Sequence, residues 1–432
     1  MRLAPVLAIF AFSCMSVPSP PPPPPTAALD SVASQYVRLV LAMGEHDADY
    51  VDAYYGPPEW RDEVRLAKPS LDVIRARATN LLSTFAPLQF DEEMIALRHV
   101  YLTRQLQALI ARADMLSGKK MTFDEEARAL YDVEPPRRTE TEFQNVIEQL
   151  DARLPGEGSV TDRLERFRSR FVIPKEKLDT VFRTAVEACR ERTEAQIELP
   201  ENESFRIEYV TDKSWSGYNW YQGNYQSLIQ VNTDLPIFID RAIDLACHEG
   251  YPGHHVYNVL LEKNLVRDRG WVEFSVYALF SGQSLIAEGT ANFGIEVAFP
   301  AAERVQYEKS VLFPLAGLDP AGADEYYEVM AMVERLGYAG NEAARRYLDG
   351  RITAAEAADW LVRYALYSPE RAKQRVRFID QYRAYVINYN LGKDLVRRHV
   401  EALGGTASRP QRRWEIFEEL LSSPRLPSGL ER

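Results

Sequence analysis

Over most of the chain the apolar positions recur with a helical period. Leu29, Val32, Ala33, Tyr36, Val37 and Val40 mark one stripe, and Leu97, Val100, Tyr101 and Leu106 to Ile110 mark another. Such spacing lays apolar side chains along one face of an α-helix. The pattern runs from Ala27 to about Arg192, broken at Gly56-Pro57-Pro58, Ala86-Pro87, Gly118, Pro135-Pro136 and Leu154 to Gly158, where glycine and proline interrupt regular structure. Thr122 with Glu125, and Thr353 with Glu356, read as capping boxes that open helices.

Between Ser204 and Asn232 the period falls to two. Phe205, Ile207 and Tyr209 alternate with polar residues, Gly217 to Asn224 is rich in turn formers, and Ile229 and Val231 alternate with Leu228, Gln230 and Asn232. These segments predict a small antiparallel sheet. Its strand 227–232 offers an edge for an extended substrate, or else a core strand. Helices resume at Pro236 and continue to the C-terminus. No internal repeat and no linker-like stretch divides the chain. The expected fold is mainly α: one large helical domain over residues 27–432 with a β insert near 204–232.

Apolar residues make up 46% and charged residues 26% of the chain, proportions of a globular domain with a sizeable core. The net charge of −12 comes without any Lys/Arg-rich block, which argues against nucleic acid as a partner. The N-terminus changes the picture more. Met1-Arg2 precedes an apolar run from Leu3 to Phe12, Cys14 follows Ser13, and Pro18 to Pro25 is almost all proline. The run is far short of the about 20 residues that span a bilayer and fits the apolar core of an export signal. The reading is an export signal over 1–13, lipidation at Cys14, and a Pro-rich tether over 14–26 that holds the domain off a membrane. A plain signal peptide cut elsewhere is the alternative. Either way the protein is expected outside the cytoplasm, in the periplasm or as an outer-membrane or cell-surface lipoprotein. Only Cys189 and Cys247 remain, too few for a disulfide framework, and Cys247 reads as a small buried apolar residue.

The chemistry concentrates in His248-Glu249-Gly250-Tyr251-Pro252-Gly253-His254-His255, which holds three of the six histidines of the chain. A zinc hydrolase site needs two imidazoles and a carboxylate as ligands, with one position open for water. It also needs a second carboxylate as general base. On a regular helix histidines at i and i+4 share a face, but four residues after His248 stands Pro252. A residue at i+6 lies about 120° off face, and one at i+7 returns to it about 10.5 Å further along. Pro252 and Gly253 supply the cause of a helix distortion that turns His254 back toward His248. An undistorted helix would favour His255 as the second ligand. Glu249 is then the base. The third ligand is expected from Glu288, set among Leu285, Ile286 and Ala287, an awkward place for an unpaired carboxylate. Glu296, two turns on, reads either as a partner of a ligating histidine or as part of a solvated face. The expected cofactor is Zn²⁺.

H-E-x-x-P-G-H-H followed by E-G-x-A-x-x-x-x-E resembles a large bacterial family of lipoprotein-like chains labelled domain of unknown function eight-eight-five. That family is grouped by its motifs with zincin-like (gluzincin-type) metallopeptidases. Gly44-Glu45-His46-Asp47 resembles its N-terminal block, and Tyr389-Asn390-Leu391-Gly392-Lys393 with Arg397 resembles its C-terminal Tyr-x-x-Gly block. Thr290 and Phe293 depart from the Trp and Tyr expected after Glu288, and no Pro-Gly-Gln precedes Tyr389. The resemblance implies a mostly helical gluzincin-like fold. The expected function is zinc-dependent hydrolysis of peptide bonds. Glu249 acts as base, Tyr389 or Tyr385 donates to the oxyanion, and His255, Glu296 and Arg397 support the metal or the substrate. A non-peptidic amide hydrolase and a non-catalytic surface lipoprotein with a structural metal site are the alternatives.

Overall fold

The computed structural model describes residues 25–430. The export signal, Cys14 and all but the last residues of the tether lie outside the described residues. The fold is mainly helical, as the apolar periodicity requires. Nine helices carry the argument: α1 (Pro25–Gly44), α2 (Glu93–Leu116), α3 (Val160–Ser169), α4 (Lys175–Glu194), α5 (Asp240–Leu245), α6 (His254–Leu261), α7 (Gly282–Ala298), α8 (Pro369–Tyr382) and α9 (Ile387–Ala402). Both expected capping boxes form, with Thr122 and Thr353 each accepting from the backbone three residues on and receiving the glutamate in return.

The β insert falls where the period-two pattern places it, as β2 (Ser204–Val210), β3 (Gly217–Gly223) and β4 (Gln226–Asn232). β3 and β4 form the expected antiparallel hairpin, turning through Asn224 and Tyr225, both at positive φ, as a two-residue hairpin turn demands. β2 adds to the other side of β4 in parallel, Ser204 opposite Gln226 through Val210 opposite Asn232. The order is therefore β2-β4-β3. β4 is the central strand with both edges paired, so strand 227–232 offers no edge to a substrate. Alternating burial along β4 hides Ile229 and Val231 against the core.

Two short strands escaped the periodicity. β1 (Val51–Tyr54) pairs antiparallel with β5 (Val276–Ala278), and pieces this short carry too few alternations to show a period. The helix expected from Pro236 starts at Asp240 instead. Residues 237–239 are tied to the segment after α3, with the Ile173 N–H donating to Ile237 O and the Ile239 N–H to Phe171 O, each at 2.9 Å.

Candidate metal centre

The segment after α5 does what Pro252 and Gly253 dictate, and more than a bulge. From Ala246 to Gly250 the helix widens, so that the Tyr251 N–H reaches Ala246 O, five residues back. Tyr251–Pro252 is a cis peptide, and the Gly253 N–H donates to Cys247 O at 2.9 Å. A Cβ on Gly253 would lie 1.9 Å from His248 O, so only glycine fits. The helix breaks outright and α6 begins at His254.

This break brings His254 Nε2 to 3.2 Å from His248 Nε2, with the two rings perpendicular. Glu288 Oε2, arriving from α7, stands 3.3 Å from His248 Nε2 and 3.8 Å from His254 Nε2. Ligand bonds of about 2.0–2.1 Å in a tetrahedron put neighbouring donor atoms about 3.3 Å apart. The three atoms thus outline one face of such a polyhedron. A hydrogen bond between the imidazoles would satisfy that pair alone, whereas Glu288 Oε2 and Glu249 Oε2 are both buried without a hydrogen-bond partner. Buried oxygens of this kind require an explanation, and a cation supplies it. A Glu249 oxygen also lies within 4.8 Å of both imidazoles. Glu288 comes within 4.0 Å of both imidazoles, whereas His248, Glu249 and His254 form the group whose donor atoms all lie within 4.8 Å of one another.

Each carboxylate is set by its surroundings. Burial works against ionising Glu288, but His248 and His254 outweigh it and hold the carboxyl well below its ordinary range. Glu249 is pushed up by burial, only partly opposed by the same histidines. His254 is disfavoured as a cation by burial, yet Glu288, Glu249 and Asp52 raise it to about 9 in the metal-free protein. The Tyr385 hydroxyl donates to Glu288 Oε1 at 2.8 Å, fixing the carboxylate so that Oε2 faces the histidines. α7 and α9 cross at a point where neither tolerates a side chain. A Cβ on Gly289 would fall 2.6 Å from Gly392 C, and one on Gly392 would fall 2.7 Å from Leu285 O. The E-G and Y-x-x-G blocks are therefore two halves of one helix crossing, which sets Glu288 against Tyr385 and Tyr389. On the opposite side β3 covers Glu249: Asn219 Nδ2 donates to Glu249 O at 2.8 Å, and a Cβ on Gly217 would stand 2.7 Å from Glu249 Oε1.

No family model matches this sequence, and no curated protein matches it. A solved structure does. "The crystal structure of the putative lipoprotein from Colwellia psychrerythraea" superposes over 84% of this chain and 69% of that one, with a TM-score of 0.50 and 14% identity. The likeness is one of fold.

His255 points away from the triad, wholly buried. Its Nε2 lies 2.6 Å from Glu203 Oε2 and its Nδ1 2.8 Å from Ser227 Oγ. Glu203 also accepts from Tyr251 at 2.7 Å and from Arg190 at 2.9 Å. His255 thus ties the metal loop to β4 and is not open to substrate. Glu296 does not reach a histidine: it pairs with Lys393 at 2.8 Å and with Arg397, so these two predicted residues join each other and brace α7 against α9. The ring of Tyr389 packs 6.0 Å from that of Tyr385. Burial, with the charges of Glu288 and Glu249, keeps its hydroxyl protonated. Cys189 and Cys247 form a disulfide, correcting the expectation of two unlinked thiols. α4 packs against the metal turn and brings two cysteines 58 residues apart to a Cα separation of 5.7 Å, a proximity that spacing does not reveal. Sequence reasoning also missed Asp52 on β1, which accepts from Tyr218. Burial raises its carboxyl to about 6 against the pull of that hydroxyl. Asp52 and Tyr218 line a cleft of about 590 Å³ with Asp49, Trp215, Arg377 and Tyr382. The cleft adjoins the triad through these two residues, and its lining stops short of the histidines.

Proposed function

We propose that the chain is an exported zinc-dependent peptidase centred on His248, His254 and Glu288. The observation that carries this reading is the spacing of 3.2, 3.3 and 3.8 Å among three converging donor atoms, with a second carboxylate, Glu249, beside them. The donor set of two imidazoles and one carboxylate suits zinc in its open, catalytic form. A zinc ion held there supplies Lewis acidity, polarising a substrate carbonyl and acidifying water. The remaining steps belong to the chain. Glu249 accepts a proton from the attacking water and returns it to the leaving nitrogen, a task suited to a carboxyl raised by burial. Tyr385 holds Glu288 in place, and Tyr389 donates to the oxygen on which negative charge develops.

Export and anchoring rest on the N-terminal segment with Cys14, and two findings support them. The structure of like fold bears the lipoprotein description, and the Cys189–Cys247 disulfide suits an oxidising compartment. Among the described residues no helix is long and apolar enough to cross a membrane. The acidic net charge of −12 argues against nucleic acid as substrate.

The test pairs metal content with turnover. The wild type and Glu249→Gln should hold zinc at the same stoichiometry, while cleavage of a mixed peptide library falls about 100- to 10,000-fold in the variant. Loss of zinc together with activity would make Glu249 a ligand. A zinc-loaded wild type that cleaves no peptide would overturn the peptidase reading.

A further inference from the structure

Beside the metal centre four arginines gather around Tyr367. α8 contributes Arg371 and Arg375, one turn apart, while α3 brings Arg168 and α5 brings Arg241. The Arg371 guanidinium lies 4.3 Å over the Tyr367 ring, that of Arg375 4.7 Å over Phe378, and that of Arg168 3.9 Å over Phe238. Arg241 alone has an acidic partner, Asp244 at 3.0 Å. Among the described residues no carboxylate lies within 4.0 Å of Arg168, Arg371 or Arg375, and the buried Nε atoms of Arg168 and Arg375 have no hydrogen-bond partner at all.

Acids are not scarce, since the chain holds 63 of them against 51 Lys and Arg. Like charges brought together without counter-charge destabilise a fold, and here three of the four arginines are half-buried and Arg371 is exposed. The local field is strong. Although burial opposes ionisation, the four arginines together pull the Tyr367 hydroxyl below its ordinary value. Arg371 still reaches solvent, so the cluster is open to a ligand.

The cluster also touches the catalytic groups. The Arg375 guanidinium lies 5.6 Å from the Tyr389 ring centroid. We propose that Arg168, Arg241, Arg371 and Arg375 bind a carboxylate of the substrate, so that the enzyme selects peptides with a negative charge close to the scissile bond. The planar fork of a guanidinium matches a carboxylate with two parallel hydrogen bonds. This inference rests on the peptidase reading for the identity of the ligand, but not for the existence of the anion site. The carboxylate is either the free C-terminus or an Asp or Glu side chain.

Two peptide series, read on the zinc-loaded protein, distinguish these sources. One compares free with amidated C-termini, and the other compares Glu with Gln beside the scissile bond. In the series that matches, kcat/KM for the carboxylate should exceed that for the amide by about 10- to 100-fold, the range of a charge-assisted hydrogen bond. Arg371→Gln should collapse that ratio, and Arg371→Lys should restore only part of it. Because the substitution removes a like charge from the surface, Arg371→Gln should not lower the thermal midpoint, which separates lost recognition from misfolding. Equal kcat/KM for carboxylate and amide in both series overturns the anion site and leaves the peptidase reading intact. If no peptide is cleaved, calorimetric titration with glutarate decides. Binding that Arg371→Gln weakens upholds the anion site without peptidase activity. Absent binding, or binding that Arg371→Gln leaves unchanged, overturns it.

Discussion

Adjacent histidines with opposite duties offer the sharpest test of the site. His254 faces His248 and Glu288, whereas His255 is locked between Glu203 and Ser227. His255→Ala removes one neutral hydrogen bond, worth about 1 kcal/mol, and one to a carboxylate, worth about 1.5–3 kcal/mol. It also leaves a void and deprives buried Glu203 of a partner, so the total reaches about 3–5 kcal/mol. Zinc affinity should fall only by the about 10- to 100-fold typical of groups outside the ligand set. His254→Ala should abolish stoichiometric zinc, and beyond the void left by a largely buried ring its cost to the metal-free fold varies with pH through one charge. That charge stabilises the metal-free protein fully below about pH 6.5 and is lost as pH rises through about 9. The stability gap between wild type and His254→Ala should therefore close over that window. Urea unfolding of the metal-free proteins, with zinc competition against a chelator at one pH, measures both halves. An empty site in His255→Ala with an unchanged urea midpoint would refute the assignment.

Two further outcomes follow from the geometry and a third from the N-terminal sequence. Gly289→Ala places a Cβ 2.6 Å from Gly392 C, so α7 and α9 must part; stability should drop by about 1–3 kcal/mol, and zinc affinity should drop with it, as a chelator competition would show. Replacing both Cys189 and Cys247 by Ala opens a loop of 58 residues, for which chain entropy predicts a loss of about 4 kcal/mol; an unchanged urea midpoint would mean that the bond contributes nothing. Cys14→Ala should move the mature domain from the membrane fraction to the soluble one without altering its melting curve, and a mature N-terminus carrying no acyl mass would count against the anchor.

The approach of His254 to His248 was legible because the histidine-rich segment carries its own cause of distortion. Pro252 and Gly253 forbid a regular helix, and of the two following histidines the nearer one profits. Glu288 was legible as a carboxylate stranded among apolar neighbours. What stayed hidden depends on packing between distant segments. Glu203 looks like any loop glutamate until His255 lands on it, and Asp52 lies in a four-residue strand with no readable period. Arg168, Arg241, Arg371 and Arg375 come from three helices, so no charge run announces them. Glu296 stayed open between two readings for a related reason: two helical turns along α7 carry it past the histidines to Lys393 and Arg397. The role of β4 stayed open between edge and core because alternation marks a strand without saying how many neighbours it has.

The break at Pro252 and Gly253 also changes what kind of object the metal centre is. When both imidazoles ride on one continuous helix, their separation is set by helical pitch, and a short peptide already holds the chelating pair. Here the two imidazoles belong to separate segments, and the bite between them is fixed only where α6 docks under β4 and against the widened turn after α5. The chelate is a tertiary property. On the proposed function, metal capture would report that the core has assembled, because a half-folded intermediate would have no preformed pincer with which to compete for zinc.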